Sequence, residues 1–318
     1  MRLRPPAWSS CWLAVLCLLS TMLAGCEQNA GCSLVMVTQV PIQFRNRLPT
    51  VEVNINGHAA RMVLDTGSNR SLVSEPAKQR LGLVEDQRFM TAIIGVAVTT
   101  MKVDVTVDSM MIGAAPLSVD RIMVGAVPLG AMADGLLGMD VLREFDLDID
   151  VPKRLLSLYR VRQCETADPP WDEPAVPIRG ITTQFGRLGM PLELDGVEAA
   201  AVIDTGAAFT TIGQRMAQRL GLTEQKLADD QVGNIHGVGA SSSRIYIHQF
   251  QSIRIGPLME RNVRLPVLMV DPQRLPNGNP VNENLIGQDV LGNRRIWFSF
   301  KTDRVAISLR EGDQLAKQ

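Results

Sequence analysis

Histidine and tyrosine are scarce in this chain of 318 residues, with three of the first and two of the second. His58, His236 and His248 have no ligand-like spacing to cysteines or carboxylates, so neither a structural nor a catalytic zinc site is expected. There is no Cys-x-x-Cys, no P-loop, no complete Gly-x-Gly-x-x-Gly and no Gly-x-Ser-x-Gly elbow. Thiol redox, phosphate-cradling, dinucleotide and serine-hydrolase chemistry therefore lack their usual signatures, and no cofactor is expected. A dominant charge is missing too: the formal net charge is −1, which gives no footprint for a nucleic-acid partner. What is present is apolar content of 46% against 20% charged residues, in a length that suits two domains of ordinary size.

The first residues read as a targeting segment. Arg2 and Arg4 make a basic start, and the apolar run from Cys11 to Leu19 is too short to span a bilayer stably. Leu23-Ala24-Gly25-Cys26 then looks like a bacterial lipobox, the signal for lipid attachment at Cys26. A plain secretory signal, or an uncleaved anchor with Cys26 incidental, are the other readings. In each case the body is expected outside the cytoplasm. The lipobox reading puts a signal peptide at 1–25, a tether at 26–35 and a lipid-held protein on the periplasmic side of a bacterial membrane, inner or outer. Cys11 and Cys17 leave with the signal, and Cys26 carries lipid. Cys32 and Cys164 remain and are expected to pair as a disulfide in an oxidising compartment.

One stretch occurs twice. Met62-Val63-Leu64-Asp65-Thr66-Gly67-Ser68 is answered by Ala201-Val202-Ile203-Asp204-Thr205-Gly206-Ala207. From Asp65 to Leu83 and from Asp204 to Leu222 the spacing is identical, and eight of nineteen positions match. Asn56-Gly57 and Asp195-Gly196, both favoured hairpin turns, precede the two aspartates at the same distance. Downstream, Gly135-Leu136-Leu137-Gly138 is matched by Asn284-Leu285-Ile286-Gly287. A period this long marks a duplicated domain rather than a solenoid. The lobes are expected at 36–162 and 176–312, joined by a proline-rich linker at 163–175 and followed by a tail at 313–318.

Alternation at Val51, Val53 and Ile55, and again at Val103, Val105 and Val107, has the period of half-buried strands. Short helices are expected from Ser74 to Gly82 and from Gly213 to Gly221, with Ser74 as a cap and Pro76 in the first turn. Further short helices are expected at Val141–Phe145 and Val290–Arg294, with Asp140 and Asp289 as their caps. Ile93 to Val98 and Ile235 to Ala240 form glycine-containing hairpins. Asp271 to Pro280 reads as a surface loop. The class is mainly β.

Each Asp-Thr-Gly follows an apolar strand, so each places a carboxylate at a tight turn on the edge of a core. Two such carboxylates brought together share one proton, because like charges about 3 Å apart do not both ionise. In these motifs the chain resembles the aspartic proteases, and most closely the bacterial retropepsin-like group with two lobes fused. That resemblance covers nearly all of the chain after the targeting segment. It implies two tandem acid-protease β-barrel lobes, a monomer with an internal pseudo-dimer, and one site of Asp65 and Asp204 acting on a protein or peptide substrate through an activated water. It implies that Thr66 and Thr205 lock the loops, that Gly67 and Gly206 let the backbone turn close to the carboxylates, and that Leu137-Gly138 and Ile286-Gly287 support them. It makes Gly95, Gly237 and Gly239 flap residues, against the plainer reading of ordinary strand turns.

The repeat departs from itself at Ser68 and Ala207. Only Ser68 has a hydroxyl to offer a carboxylate, so Asp65 is expected to ionise before Asp204. Both hairpins also lack the tyrosine that pepsins carry. Two questions stay open: whether the lobes pair within one chain or between chains, and whether the chain hydrolyses peptides or is a lipid-anchored binding or assembly protein that kept the fold.

Overall fold

The computed structural model describes residues 32–94, 99–126, 129–164, 168–183, 186–237, 241–269, 273–274, 280–281 and 283–315. The segment expected to be a targeting signal, with Cys26, and most of the loop expected at 271–280 lie outside the described residues. Two β lobes stand on either side of a shared sheet. The first lobe is a ten-stranded sheet and the second an eight-stranded one.

Each lobe is built on the same hairpin. Leu48–Ile55 pairs antiparallel with His58–Leu64, and Leu188–Leu194 with Val197–Ile203. The turns between them hold φ of 50° and 85° at Asn56 and Gly57, and of 46° and 79° at Asp195 and Gly196. Positive φ at both central residues matches the twist of the flanking strands, which is why Asn-Gly and Asp-Gly stand there. The alternating valines bury one face: Val51, Val53 and Ile55 are buried while Glu52 and Asn54 are exposed.

A short strand then comes alongside the second arm of each hairpin. Gly135–Leu137 runs parallel to His58–Leu64, with Leu137 opposite Leu64, and Asn284–Ile286 runs parallel to Val197–Ile203, with Ile286 opposite Ile203. These pairings bring segments about seventy to eighty residues apart in sequence together directly beneath each Asp-Thr-Gly. The helix Glu75–Arg80 is capped by the Ser74 hydroxyl, which accepts from the Ala77 N–H at 3.3 Å.

The lobes are joined within the chain by a six-stranded sheet. Its order is Ser33–Pro41, Leu155–Arg162, Asp146–Asp150, Arg295–Ser299, Arg304–Ser308 and Ala175–Arg179, so three strands come from each half. The seam is the antiparallel pair of Asp146–Asp150 and Arg295–Ser299. Leu147, Ile149, Ile296 and Phe298 bury one face of it in the main core. The other face is buried as well, under Trp297, Tyr159, Val161 and the linker residue Trp171. There Arg295 makes a two-pronged contact with Asp148, at 2.8 and 2.6 Å, and a further bond to Glu173 of the linker at 3.0 Å.

The boundaries differ from the sequence reading at both ends. Residues 33–35, expected as tether, begin the edge strand Ser33–Pro41, because that strand has a ladder partner in Leu155–Arg162. Gln314–Leu315, expected as tail, pairs with Leu258 and Met259. Cys32 and Cys164 are joined by a disulfide with a Cα–Cα distance of 4.4 Å. They flank the pair Ser33 and Arg162, so the bond extends the end of a ladder that already exists.

Asp146 lies in this sheet as a buried acid, 2% exposed. Burial pushes its carboxyl up to about 6, against the pull of a Ser299 hydrogen bond and the Lys301 charge. The folded state therefore holds a proton that the unfolded chain releases nearer pH 4, so stability falls as pH rises from about 4 to about 6. Asp146→Asn removes that cost. It is expected to raise unfolding stability by about 1–2 kcal/mol at pH 8, an amount discounted for Lys301 and residual solvation, and by almost nothing at pH 4. Urea unfolding at the two pH values checks this. An equal gain at both would assign the effect to packing.

Candidate active site

Asp65 and Asp204 meet at the junction of the lobes. Each stands one residue past its strand, and each backbone N–H is held by the neighbouring short strand: Asp65 donates to the Leu137 carbonyl and Asp204 to the Ile286 carbonyl, both at 3.0 Å. The two carboxyl groups share a hydrogen bond. Asp65 is 8% exposed and Asp204 is partly exposed, so the pair is buried in the main but keeps one side open to solvent.

The threonines clamp the two loops. The Thr66 hydroxyl donates to the Ile203 carbonyl at 2.6 Å, and the Thr205 hydroxyl donates to the Leu64 carbonyl at 2.6 Å. Each hydroxyl also accepts from the N–H of the other threonine, at 3.1 Å both ways. Four buried bonds thus cross between lobes in one twofold pattern, and each satisfies a backbone group that burial would otherwise leave unpaired. The glycines fill the remaining space. A Cβ on Gly67 would lie 2.3 Å from Asp204 Cγ, and one on Gly206 would lie 2.4 Å from Asp65 Cγ. Each loop leaves room for the opposite carboxyl only because these positions have no side chain.

Inside each loop the backbone faces its own carboxylate. Gly67 and Ser68 N–H groups donate to Asp65 Oδ1 at 3.0 and 2.8 Å, and the Gly206 N–H donates to Asp204 Oδ1 at 2.9 Å. The Ser68 and Ala207 carbonyls accept from Met139 and Gln288 N–H groups at 2.8 and 2.9 Å. Here one expectation is overturned. The Ser68 hydroxyl donates to the Arg70 carbonyl at 2.9 Å and not to the aspartate. The turn aims its N–H at Asp65 and its side chain along the loop.

The ground for expecting Asp65 to ionise first goes with it. Burial, and then the Asp204 charge, push Asp65 well above the usual carboxylate range, and the Ser68 N–H only partly opposes them. Burial also raises Asp204, but the Arg187 guanidinium is the next influence and pulls it down. Both carboxyls are raised by burial, and the Arg187 charge draws Asp204, not Asp65, toward the ionised form. Arg187 was missed from the sequence. It lies seventeen residues before Asp204, where the matching position before Asp65 is Leu48, so a break in the repeat was its signal.

Asp140 and Asp289 also differ from expectation. The short helices run Met139–Leu142 and Gln288–Leu291, with Gly138 and Gly287 at their N-caps and no side-chain cap. Asp140 instead accepts from the Ser71 N–H and hydroxyl at 2.8 Å, and Asp289 from the Thr210 N–H and hydroxyl at 2.8 and 2.7 Å. Those hydroxyls in turn accept from the Gly138 and Gly287 N–H groups, at 3.0 and 3.1 Å. Each acid thus staples a loop to the apolar-apolar-Gly segment beside it. Gln288 adds a bond to the Thr205 carbonyl at 2.9 Å. Of the hairpin glycines, Gly95 and Gly239 lie outside the described residues, and Gly237 ends the strand Gln231–Gly237 opposite Ser241. Among the described residues no group of three or more His, Cys, Asp or Glu is arranged to hold a metal ion.

The family comparison agrees with this doubled geometry. A family model described as aspartyl protease matches residues 51–141 and again 190–290. The chain belongs to the aspartyl protease family. Each matched segment contains one Asp-Thr-Gly, one hairpin and one apolar-apolar-Gly strand, so the family unit occurs once per lobe. Among curated proteins, DNA damage-inducible protein 1 of Chaetomium globosum is 26% identical over 168 residues. That match covers 52% of this chain and 32% of the relative, so the chain spans about a third of the relative's length.

Proposed function

We propose that the chain is an aspartic endopeptidase in which Asp65 and Asp204 hydrolyse a peptide bond through one water. The observation that carries this reading is the placement of two buried carboxyls against each other's loops, with Asp204 packed on Gly67 and Asp65 on Gly206, in environments that differ by the Arg187 charge. A pair split in this way supplies a base and an acid at one point. Asp204 takes a proton from the water, the water oxygen bonds to the peptide carbonyl carbon, and Asp65 gives its proton to the carbonyl oxygen. The tetrahedral diol then breaks its C–N bond. One diol hydroxyl loses its proton to the Asp65 carboxylate, and Asp204 passes the first proton to the leaving nitrogen. Both carboxyls return to their starting states. The backbone donors around each aspartate hold these positions without reorganising, which is where such a site gains its rate.

Digestion of a peptide library by the soluble body tests this, with wild type against Asp65→Asn. Cleavage by wild type and none by the variant is the expected result. Peptide binding without cleavage by either would assign the chain to the binding or assembly role instead.

The body is proposed to sit outside the cytoplasm on the periplasmic face of a membrane, held by lipid on Cys26. Leu23-Ala24-Gly25-Cys26 supports this, and so does the Cys32–Cys164 bond, since disulfides persist in oxidising compartments. Mass spectrometry of the mature N-terminus is expected to find a diacylglyceryl-modified Cys26. An unmodified terminus beginning elsewhere would remove the anchor.

A further inference from the structure

The lobes repeat each other so closely around the dyad that their differences stand out. The backbone keeps its twofold, but the charges beside the two aspartates do not. Arg187 enters from lobe two just before Leu188–Leu194, and only 8% of it is exposed. Its Nη1 donates across the junction to the Gly67 carbonyl at 2.9 Å, two residues past Asp65. Its Nη2 pairs with Glu283, which sits just before Asn284–Ile286.

The strand registers identify what lobe one has in these places. Gly189 lies opposite Val202 as Thr50 lies opposite Val63, so Arg187 corresponds to Leu48. Asn284 lies opposite Ala201 as Gly135 lies opposite Met62, so Glu283 corresponds to Asp134. Asp134 turns outward, to Arg80 at 2.8 Å and to the Arg61 N–H at 2.8 Å. Arg47, one place before Leu48, lies over the Phe209 ring at 5.0 Å. Among the described residues, the charged groups acting on Asp204 include Asp65 from the opposite loop, Arg187 from the start of one strand and Glu283 from the start of another. The strongest influences on Asp65 are burial and Asp204, both of which raise it.

We propose that Arg187 and Glu283 are a positioning pair that breaks the symmetry of the dyad: Arg187 makes Asp204 the resting carboxylate, and Glu283 limits that bias by partly neutralising Arg187. The proposal rests on the dyad reading above. A symmetric pair has two equivalent resting forms, with the proton on either carboxyl, and only one of them suits a substrate bound in a given direction. A fixed cation on one side selects that form before substrate arrives. The attacking water is then activated on the Asp204 side, and the substrate carbonyl is protonated from Asp65. Burial strengthens the effect, because the charge of Arg187, 8% exposed and bonded to the Gly67 carbonyl beside Asp204, is poorly screened there.

The alternative is that Arg187 only cross-links the lobes through Gly67 and Glu283. The two roles separate by sign. Arg187→Met removes the cation, so Asp204 becomes harder to ionise and the acid limb of the pH–rate profile moves to higher pH. The loss in kcat/KM on that limb is expected to be about tenfold. Glu283→Gln removes the opposing charge, so the acid limb moves to lower pH and kcat/KM on that limb rises. Arg187→Lys keeps the charge and stays near wild type. A cross-link alone predicts that breaking it from either partner shifts the profile the same way or not at all, and that result would overturn the proposal. The same titrations are read from the carboxyl carbons of 13C-labelled aspartate, assigned with Asp65→Asn and Asp204→Asn. That readout needs no turnover, so absent hydrolysis would count against the endopeptidase reading while the NMR shifts still decide the role of the pair. Thermal melting confirms that each variant is folded. If Arg187→Met is not, the downward shift in Glu283→Gln decides alone.

Discussion

Asp65→Asn or Asp204→Asn is expected to lower kcat for peptide hydrolysis on the order of 10³–10⁴-fold. The double variant should lose little more, because in the proposed mechanism the two carboxyls act as one unit through a shared proton and a shared water. The pH dependence follows from the proposed order of ionisation. Under the proposed mechanism activity is expected to rise as Asp204 loses its proton and to fall as Asp65 loses its own, giving a bell whose two limbs belong to the pair. Burial holds Asp65 well above its ordinary range, which extends the basic limb upward, while Arg187 restrains the rise of Asp204 and so the acid limb. Mixing the two single variants tests where the site is built. The seam between Asp146–Asp150 and Arg295–Ser299 joins the lobes within one chain, so mixed variants are expected to stay inactive. Recovery on mixing would show that lobes pair between chains in solution. Full activity in either single variant would end the aspartic protease reading.

Asp313→Asn is expected to cost about 2 kcal/mol of unfolding stability at pH 7, less than for a fully buried ion pair because solvent reaches Asp313. Arg294 is among the most deeply buried side chains, with 2% exposure, and Asp313 meets it with two bonds at 2.6 and 2.7 Å. Arg294 directly precedes the seam strand Arg295–Ser299, and also donates to the Ser308 carbonyl at 3.0 Å. Its Nε has no partner, so the site already carries a desolvation cost that Asp313 offsets. Without the carboxylate a guanidinium is left buried and unpaired. The Arg294 hydrogen bonds lower Asp313 to about 2, so its contribution is complete above the ordinary carboxylate range near pH 4 and is lost as pH falls through 2. Urea unfolding of wild type and variant from pH 7 down to pH 2 should show the two curves converging. A second variant that replaces both residues with apolar ones of similar volume should recover most of the loss, since removing a pair together leaves no orphan charge. A loss under 0.5 kcal/mol in Asp313→Asn would show that water reaches Arg294.

How far the sequence reached depends on the range of the interaction involved. The hairpin turns, the Ser74 cap and the strand alternation are local, set by backbone φ and by the side-chain period, and they stand where the sequence put them. The doubled Asp-Thr-Gly and the doubled apolar-apolar-Gly placed the lobes, because a repeat carries tertiary information in linear form. Asp140 and Asp289 show where a local rule failed. As residues two past a glycine at a helix start they read as caps, but Ser71 and Thr210 lie within reach only after distant segments pair, and the stronger bonds win.

The mainly β class, the two lobes and the Asp-Thr-Gly loops were thus determined by the sequence alone, since alternation, turn chemistry and internal repetition are written residue by residue. Which charged groups stand beside each aspartate was decided only by the tertiary structure. From the sequence, the nearest hydroxyl is Ser68, three places from Asp65. In the folded protein that hydroxyl turns to the Arg70 carbonyl, and a cation seventeen residues before Asp204 stands beside the pair instead. Electrostatic influence falls with distance through space and with access to water, and neither is a property of position along the chain.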